Sequence, residues 1–213
     1  MTMTHVGTGT FPAISVPVWV SRAGAACMAA GLLGAVSGIL LAVYPGQVSE
    51  EMFSYPLTAG GFTVIQVWFF VQHLGLLAGI VALGRAQIMA PGRNARWGTG
   101  LAAAGMALLA VTELIAITAR DSTYPGNGTG LLDVLYGVST IAVGVGLGLA
   151  GIAVRRGGRW TGWRGLVVLV AGIFVFVPML PALMGPFVLA RLAITAWMLL
   201  FAGLGYALWK AEA

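Results

Sequence analysis

The sequence predicts an all-α polytopic membrane protein: six transmembrane helices arranged as three hairpins, with both termini in the cytoplasm. Three observations carry that expectation. The chain has 213 residues, of which 59% are hydrophobic and only 8% charged, whereas a soluble domain carries about 25% charged residues. Six apolar runs follow one another, each about 20 residues long, and at roughly 1.5 Å per residue each can cross a hydrocarbon layer of ~30 Å. The basic and acidic residues fall in alternate loops, as expected for a chain threaded back and forth through a bilayer.

Residues 1–20 contain Thr, Gly, Pro12 and Pro17 around a short apolar patch, FPAISVPVWV. They lack the positive start, apolar core and small-residue cleavage site of a secretory signal. The two prolines disfavour a long helix, so a flexible cytoplasmic tail is expected, with Phe11 and Trp19 resting at the interface. Residues 21–213 then form a single six-helix domain, with runs at 23–43, 63–84, 98–119, 133–154, 165–185 and 187–209. Backbone amides in lipid must bond within their own segment, so the runs are read as helices.

Each run has its own signature. The first carries Ala30, Gly34 and Gly38, a small-xxx-small ladder that lets helices approach closely. The second is the axis of the molecule: at its middle lie Gln72 and His73, with Gln66 two turns away on the His73 face. The third holds Glu113. The fourth is smoothed by Gly137, Gly144, Gly148 and Gly151. The fifth ends in Pro178, Pro181, Gly185 and Pro186, which predicts a kinked or unwound last turn. The sixth holds Arg191 near its start. Asp133 reads as an N-cap or first-turn acid of the fourth helix. Trp97, Trp160, Trp163, Trp209, Tyr44 and Tyr124, near run ends, read as an interfacial belt.

Orientation follows from charge. Arg22, Arg85, Arg93, Arg96, Arg155, Arg156, Arg159, Arg164 and Lys210 share one set of helix ends; Glu50, Glu51, Asp121 and Asp133 share the other, with Arg120 the one base among them. The positive-inside rule places the basic ends, and with them both termini, in the cytoplasm, for a chain expected in the cell's inner (plasma) membrane. The formal charge of +5 is spread over short loops and not gathered on one face or tail, which argues against nucleic acid as a partner. Cys27 is the single cysteine, so no intrachain disulfide, CxxC motif or zinc cluster can form, and it reads as a small packing residue. Tyr44-Pro45-Gly46 recurs as Tyr124-Pro125-Gly126, and Arg96-Trp97 as Arg159-Trp160, a weak parallel repeat of hairpins set against the chance recurrence of short dipeptides.

Ionisable side chains at membrane depth are expensive and invite a functional reading. His73 lies near the midplane, while Glu113 and Arg191 lie toward the acidic ends. With Gln66 and Gln72 they are the candidates for a ligand or proton cavity open to the outside, walled by the second, third and sixth helices and lidded by residues 44–62. Plainer roles stand beside this. Arg191 can snorkel to headgroups, Glu113 can be protonated or paired with Arg191 as structural glue, and a neutral His73 can bond a neighbouring helix. No catalytic residue and no metal site is assigned, and no cofactor is expected: the chain lacks Walker A, HExxH and GxSxG motifs, a second histidine at membrane depth for bis-histidine haem, and the mid-membrane lysine of retinal proteins. GLGLAG at 146–151 resembles a phosphate loop but lies inside a membrane helix.

The run Ser54-Tyr55-Pro56-Leu57-Thr58 through Gln66-Val67-Trp68 and Gln72-His73-Leu74-Gly75 is similar to small six-span actinobacterial membrane proteins of no known activity. The resemblance covers the loop and second helix and, beyond them, only the hydropathy. It implies a membrane location and transfers no catalytic residue. Three functions follow as expectations. The leading one is a non-enzymatic protein that binds or passes a small ligand or a proton. The second is a structural or assembly subunit, as a homo-oligomer or within a larger membrane complex, docking through its Gly-rich helices. The third is a membrane-embedded enzyme using His73 and Glu113 as acid and base. The one partner common to all three is the lipid bilayer.

Overall fold

The computed structural model describes residues 17–126 and 128–211, so Phe11 and most of the expected N-terminal tail lie outside the described residues. Six helices are long and apolar enough to span a membrane: α1 Val18–Val43, α2 Ala59–Arg85, α3 Arg93–Ala119, α4 Gly130–Gly157, α5 Gly162–Leu183 and α6 Phe187–Trp209. The last three residues of α3, Ile117–Ala119, are a tighter 3-10 turn. No named strand occurs among the described residues; a single bridge pairs Met52 with Thr123. The chain is an integral, multi-pass membrane protein.

Most helices run past the apolar runs that announce them. The first starts at Val18, not residue 23, because Pro17 stands at its N-cap position with φ −58°; a proline that would break a helix interior is tolerated at its start, where the missing N–H has no partner to lose. Trp19 therefore belongs to α1 and not to the tail. The second starts at Ala59, where the Thr58 hydroxyl accepts from the Gly61 amide at 3.2 Å. The fourth ends at Gly158, whose φ of 67° lets it close the helix in the left-handed conformation. Spans of 26–28 residues reach about 40 Å, so their ends project into the headgroup region.

In α5 the irregularity falls one turn earlier than expected, and the last turn, expected to be kinked or unwound, is α-helical. The α-helix stops at Phe174, and Val175–Met179 form a π-turn around Pro178 before Leu180–Leu183 resume. Pro178 has no N–H and its ring crowds the carbonyl of Phe174; widening the turn by one residue relieves both.

The helices pack in chain order into a ring that closes between the first and last spans. The α1–α6 and α3–α4 seams are the most intimate, and α2 also touches α6 across the ring. Glycines make those seams. A Cβ at Gly31 would strike the backbone of Ala202 and Met198 on α6; one at Gly98 would strike Ala150 and Gly146 on α4. On the first-helix ladder, Ala30 faces Gly75 of α2, Gly34 faces Gln72, and Gly38 faces Thr195 of α6. On α4, Gly144 and Gly151 face α5, while Gly137 faces open space. Lipid offers no hydrophobic gain for joining apolar helices, so this close backbone approach and its dispersion contacts hold the ring together.

Inside the ring Leu76, Ile80, Leu83, Met106, Leu147, Val168, Phe201 and Leu204 form one continuous apolar core. Trp197 ties α6 to α5 by donating its indole N–H to the Ala171 carbonyl at 3.0 Å. Trp160 corrects the expected belt: it is 8% exposed and belongs to this core, whereas Trp97 is 67% exposed. The two Arg-Trp pairs of the apparent repeat are thus placed differently, Trp160 having been drawn inward because it precedes the turn into α5.

Candidate functional site

Toward the acidic ends of α2, α3 and α4 the apolar core gives way to a group of buried polar side chains. Gln66 and His73 project from one face of α2 and Glu113 from α3; all three are buried. Tyr136 of α4, half-buried, completes the group. By helical rise, Gln66, Glu113 and Tyr136 sit about 10 Å inside their helix ends, and His73 lies about 10 Å deeper than Gln66.

Glu113 is the hub. Its Oε2 accepts from the Gln66 amide at 2.9 Å and from the Tyr136 hydroxyl at 2.8 Å. The same Gln66 nitrogen lies 3.2 Å from the Tyr136 oxygen and 3.4 Å from the Glu113 carbonyl. The other carboxyl oxygen, Oε1, stands 3.8 Å from His73 Nδ1. That nitrogen is 2.7 Å from the Phe69 carbonyl, and because a carbonyl can only accept, Nδ1 carries a proton that it donates there. Helix α3 therefore presents a carboxyl with one oxygen twice hydrogen-bonded and the other turned toward an imidazole. Three helices are tied at one level by it.

Arg191 is half-buried on α6 with its guanidinium 4.9 Å above the Phe187 ring. It makes no ion pair within 4.0 Å among the described residues; the titratable side chain within that distance of Glu113 is His73. Gln72 leaves the group altogether. It turns into the seam of α1 and α6, where its Nε2 donates to Met198 Sδ at 3.0 Å and its Oε1, fully buried, has no partner among the described residues. Of the five residues singled out in the sequence, the structure brings Gln66, His73 and Glu113 together, sets Arg191 over the Phe187 ring, and sends Gln72 elsewhere.

Tyr136 was not foreseen. Its signal is a tyrosine seven residues into a membrane helix, deeper than a headgroup belt, whose hydroxyl must find a partner when buried. Thr112 and Ser139, also buried, satisfy themselves on their own helices by donating to Leu108 and Tyr136 carbonyls.

An apolar cap covers the group on the acidic side. Phe62, Ala116, Ala119 and Leu132 pack together with Phe53 and Leu57 from the 44–58 loop. That loop is fastened to the α3–α4 connection by the Phe53 amide on the Ser122 carbonyl (2.9 Å) and the Tyr124 amide on the Glu51 carbonyl (2.6 Å). Phe53 meets Phe62 edge-on at 5.8 Å, and Tyr55 meets Phe187 at 5.2 Å. Desolvation, then the charge of Asp133 in the first turn of α4, raises the phenol of Tyr124 at the cap's edge above its ordinary range.

A cleft of about 700 Å³ opens at the opposite, basic end, between α2 and α3. No group of three or more His, Cys, Asp or Glu suited to a metal ion occurs among the described residues. No family model matches the chain, and no curated protein and no solved structure is similar to it.

Proposed function

We propose that the chain is a non-enzymatic plasma-membrane protein, both termini cytoplasmic, that takes up a proton, or a small polar ligand able to exchange one, at Glu113. The observation that supports it is the Glu113 carboxyl itself, held by Gln66 and Tyr136 on one oxygen and facing His73 at 3.8 Å on the other. A scaffold could tie three helices with leucines and glycines, as the rest of this ring does. An ionisable carboxyl at this depth costs several kcal/mol if charged, and its neighbours are groups that stabilise either protonation state. On this reading the 44–58 loop, held to the α3–α4 connection by two backbone hydrogen bonds, is the element that would have to move for the site to meet the outside. The enzyme reading loses ground, because His73 and Glu113 stand too close to admit a substrate between them.

Glu113→Gln keeps the shape and the hydrogen-bonding capacity but cannot ionise. Purified wild-type protein should bind or release one proton more than this variant across a pH titration, seen as a carboxyl band in the difference infrared spectrum. Vesicles holding the wild type should move protons down an imposed gradient at least tenfold faster than those holding the variant. Equal titration and equal flux, with both proteins folded, would refute the proposal and leave Glu113 as helix glue.

A further inference from the structure

The cleft at the basic end has a chemistry of its own. Arg85 closes α2, and Arg93 and Arg96 open α3, so three exposed guanidiniums ring its mouth. No carboxylate approaches any of them within 4.0 Å among the described residues, the salt bridges there being His73–Glu113 and Arg120–Asp121 at the far end. Below the mouth the lining turns apolar and small: Val81 one turn down α2, and Gly100 and Ala103 one to two turns down α3. Val81 and Gly100 are exposed on the flank of two membrane spans, which is the lipid side.

The 86–92 connection explains why this space stays open. It is drawn inward against α4: the Ala90 amide donates to the Ala153 carbonyl at 2.9 Å, Arg159 donates to the Gln87 carbonyl at 3.0 Å, and Ala86 and Ile88 are buried. From the loop, Met89 and Gly92 line the cleft at its mouth, and the deeper lining comes from α2 and α3. A Cβ added at Gly100 would meet no atom within 4 Å.

We propose that this cleft is a binding site for one anionic phospholipid, its phosphate among Arg85, Arg93 and Arg96 and one acyl chain lying along Val81, Gly100 and Ala103. Charge complementarity selects the head, since basic pockets between membrane helices take anionic headgroups, and guanidinium forks match phosphate oxygens in pairs. The apolar floor selects a lipid over a soluble anion, because a free phosphate has no use for a groove running more than a helical turn into the hydrocarbon. The site is at the other end of the molecule from Glu113 and stands whether or not that residue moves protons.

Native mass spectrometry of the full chain, offered equal phosphatidylglycerol and phosphatidylcholine, tests it. The wild type should retain phosphatidylglycerol preferentially. Each arginine contributes roughly fivefold, so Arg85→Gln/Arg93→Gln/Arg96→Gln should lose about a hundredfold in that preference. Gly100→Leu fills the cleft without touching the fold; it should release the lipid while its melting temperature in zwitterionic detergent is unchanged or higher. Arg22→Gln/Arg164→Gln/Lys210→Gln removes the same charge from other helices and should keep the preference. The assignment is overturned if that control loses as much as the cleft variant, if Gly100→Leu binds normally, if the wild type shows no preference, or if excess inorganic phosphate displaces the lipid completely.

Discussion

Glu113 and Gln72 show two ways for a polar side chain to live in a membrane protein. Glu113 is surrounded by donors from two other helices. Gln72, 3% exposed, donates to a thioether, a weak acceptor, and leaves its own carbonyl oxygen without a partner among the described residues. An unmade hydrogen bond of this kind costs about 1–3 kcal/mol. Gln72→Met conserves volume and removes the orphan, so it should leave the unfolding free energy unchanged or raise it by up to about 2 kcal/mol. Chemical denaturation in detergent would show it; a loss above about 1 kcal/mol would mean that Oε1 holds a bound partner. The sequence places both residues at depth but cannot say which face of the bundle each meets. Gln66 and His73 could be assigned to one side of α2 because seven residues make two turns. That Glu113 comes to meet them, and that Tyr136 joins, depends on which helices are neighbours, and single-helix periodicity carries no such information.

At the scale of helices, composition gives the number of spans because the lipid imposes both length and internal hydrogen bonding. Their ends are less legible. Apolar runs mark the hydrocarbon, whereas helices continue until a cap or a glycine stops them, as Thr58 and Gly158 do here. The break in α5 was readable because Pro178 acts locally. The glycines are readable as packing residues but not as to partner. Two substitutions separate their roles. Gly31→Ala puts a methyl into the backbone of α6, and Gly137→Ala puts one into open space. The first should destabilise the protein by about 2 kcal/mol through overpacking, and the second should change it by less than about 1 kcal/mol, in the stabilising direction. Thermal unfolding of both variants in the same detergent makes the comparison, and equal losses would show that the α1–α6 seam is looser than its geometry.

For the whole molecule, charge asymmetry is the most legible feature, since nine basic residues between Arg22 and Lys210 share one set of helix ends. On the orientation proposed above, a cysteine introduced at Ser49 in the 44–58 loop should react with an impermeant maleimide on intact cells. One at Asn94, beside the 86–92 connection, should react only after permeabilisation. Cys27 is buried and gives no background. The reverse pattern would invert the molecule and put the Glu113 cap on the cytoplasmic side. The ring itself was hidden from the sequence: hairpins are local, but the meeting of the first and last spans is not.

That meeting has a consequence for biogenesis. During synthesis α1 leaves the ribosome before the other five helices, yet its glycine-lined flank finds its principal partner only when α6 has been released into the bilayer. Until then the groove around Gly24 and Gly31 lacks the helix that fills it in the folded protein. A ribosome stalled before Phe187 would therefore deliver a product with the α1 flank open, a plain structural mark for quality control.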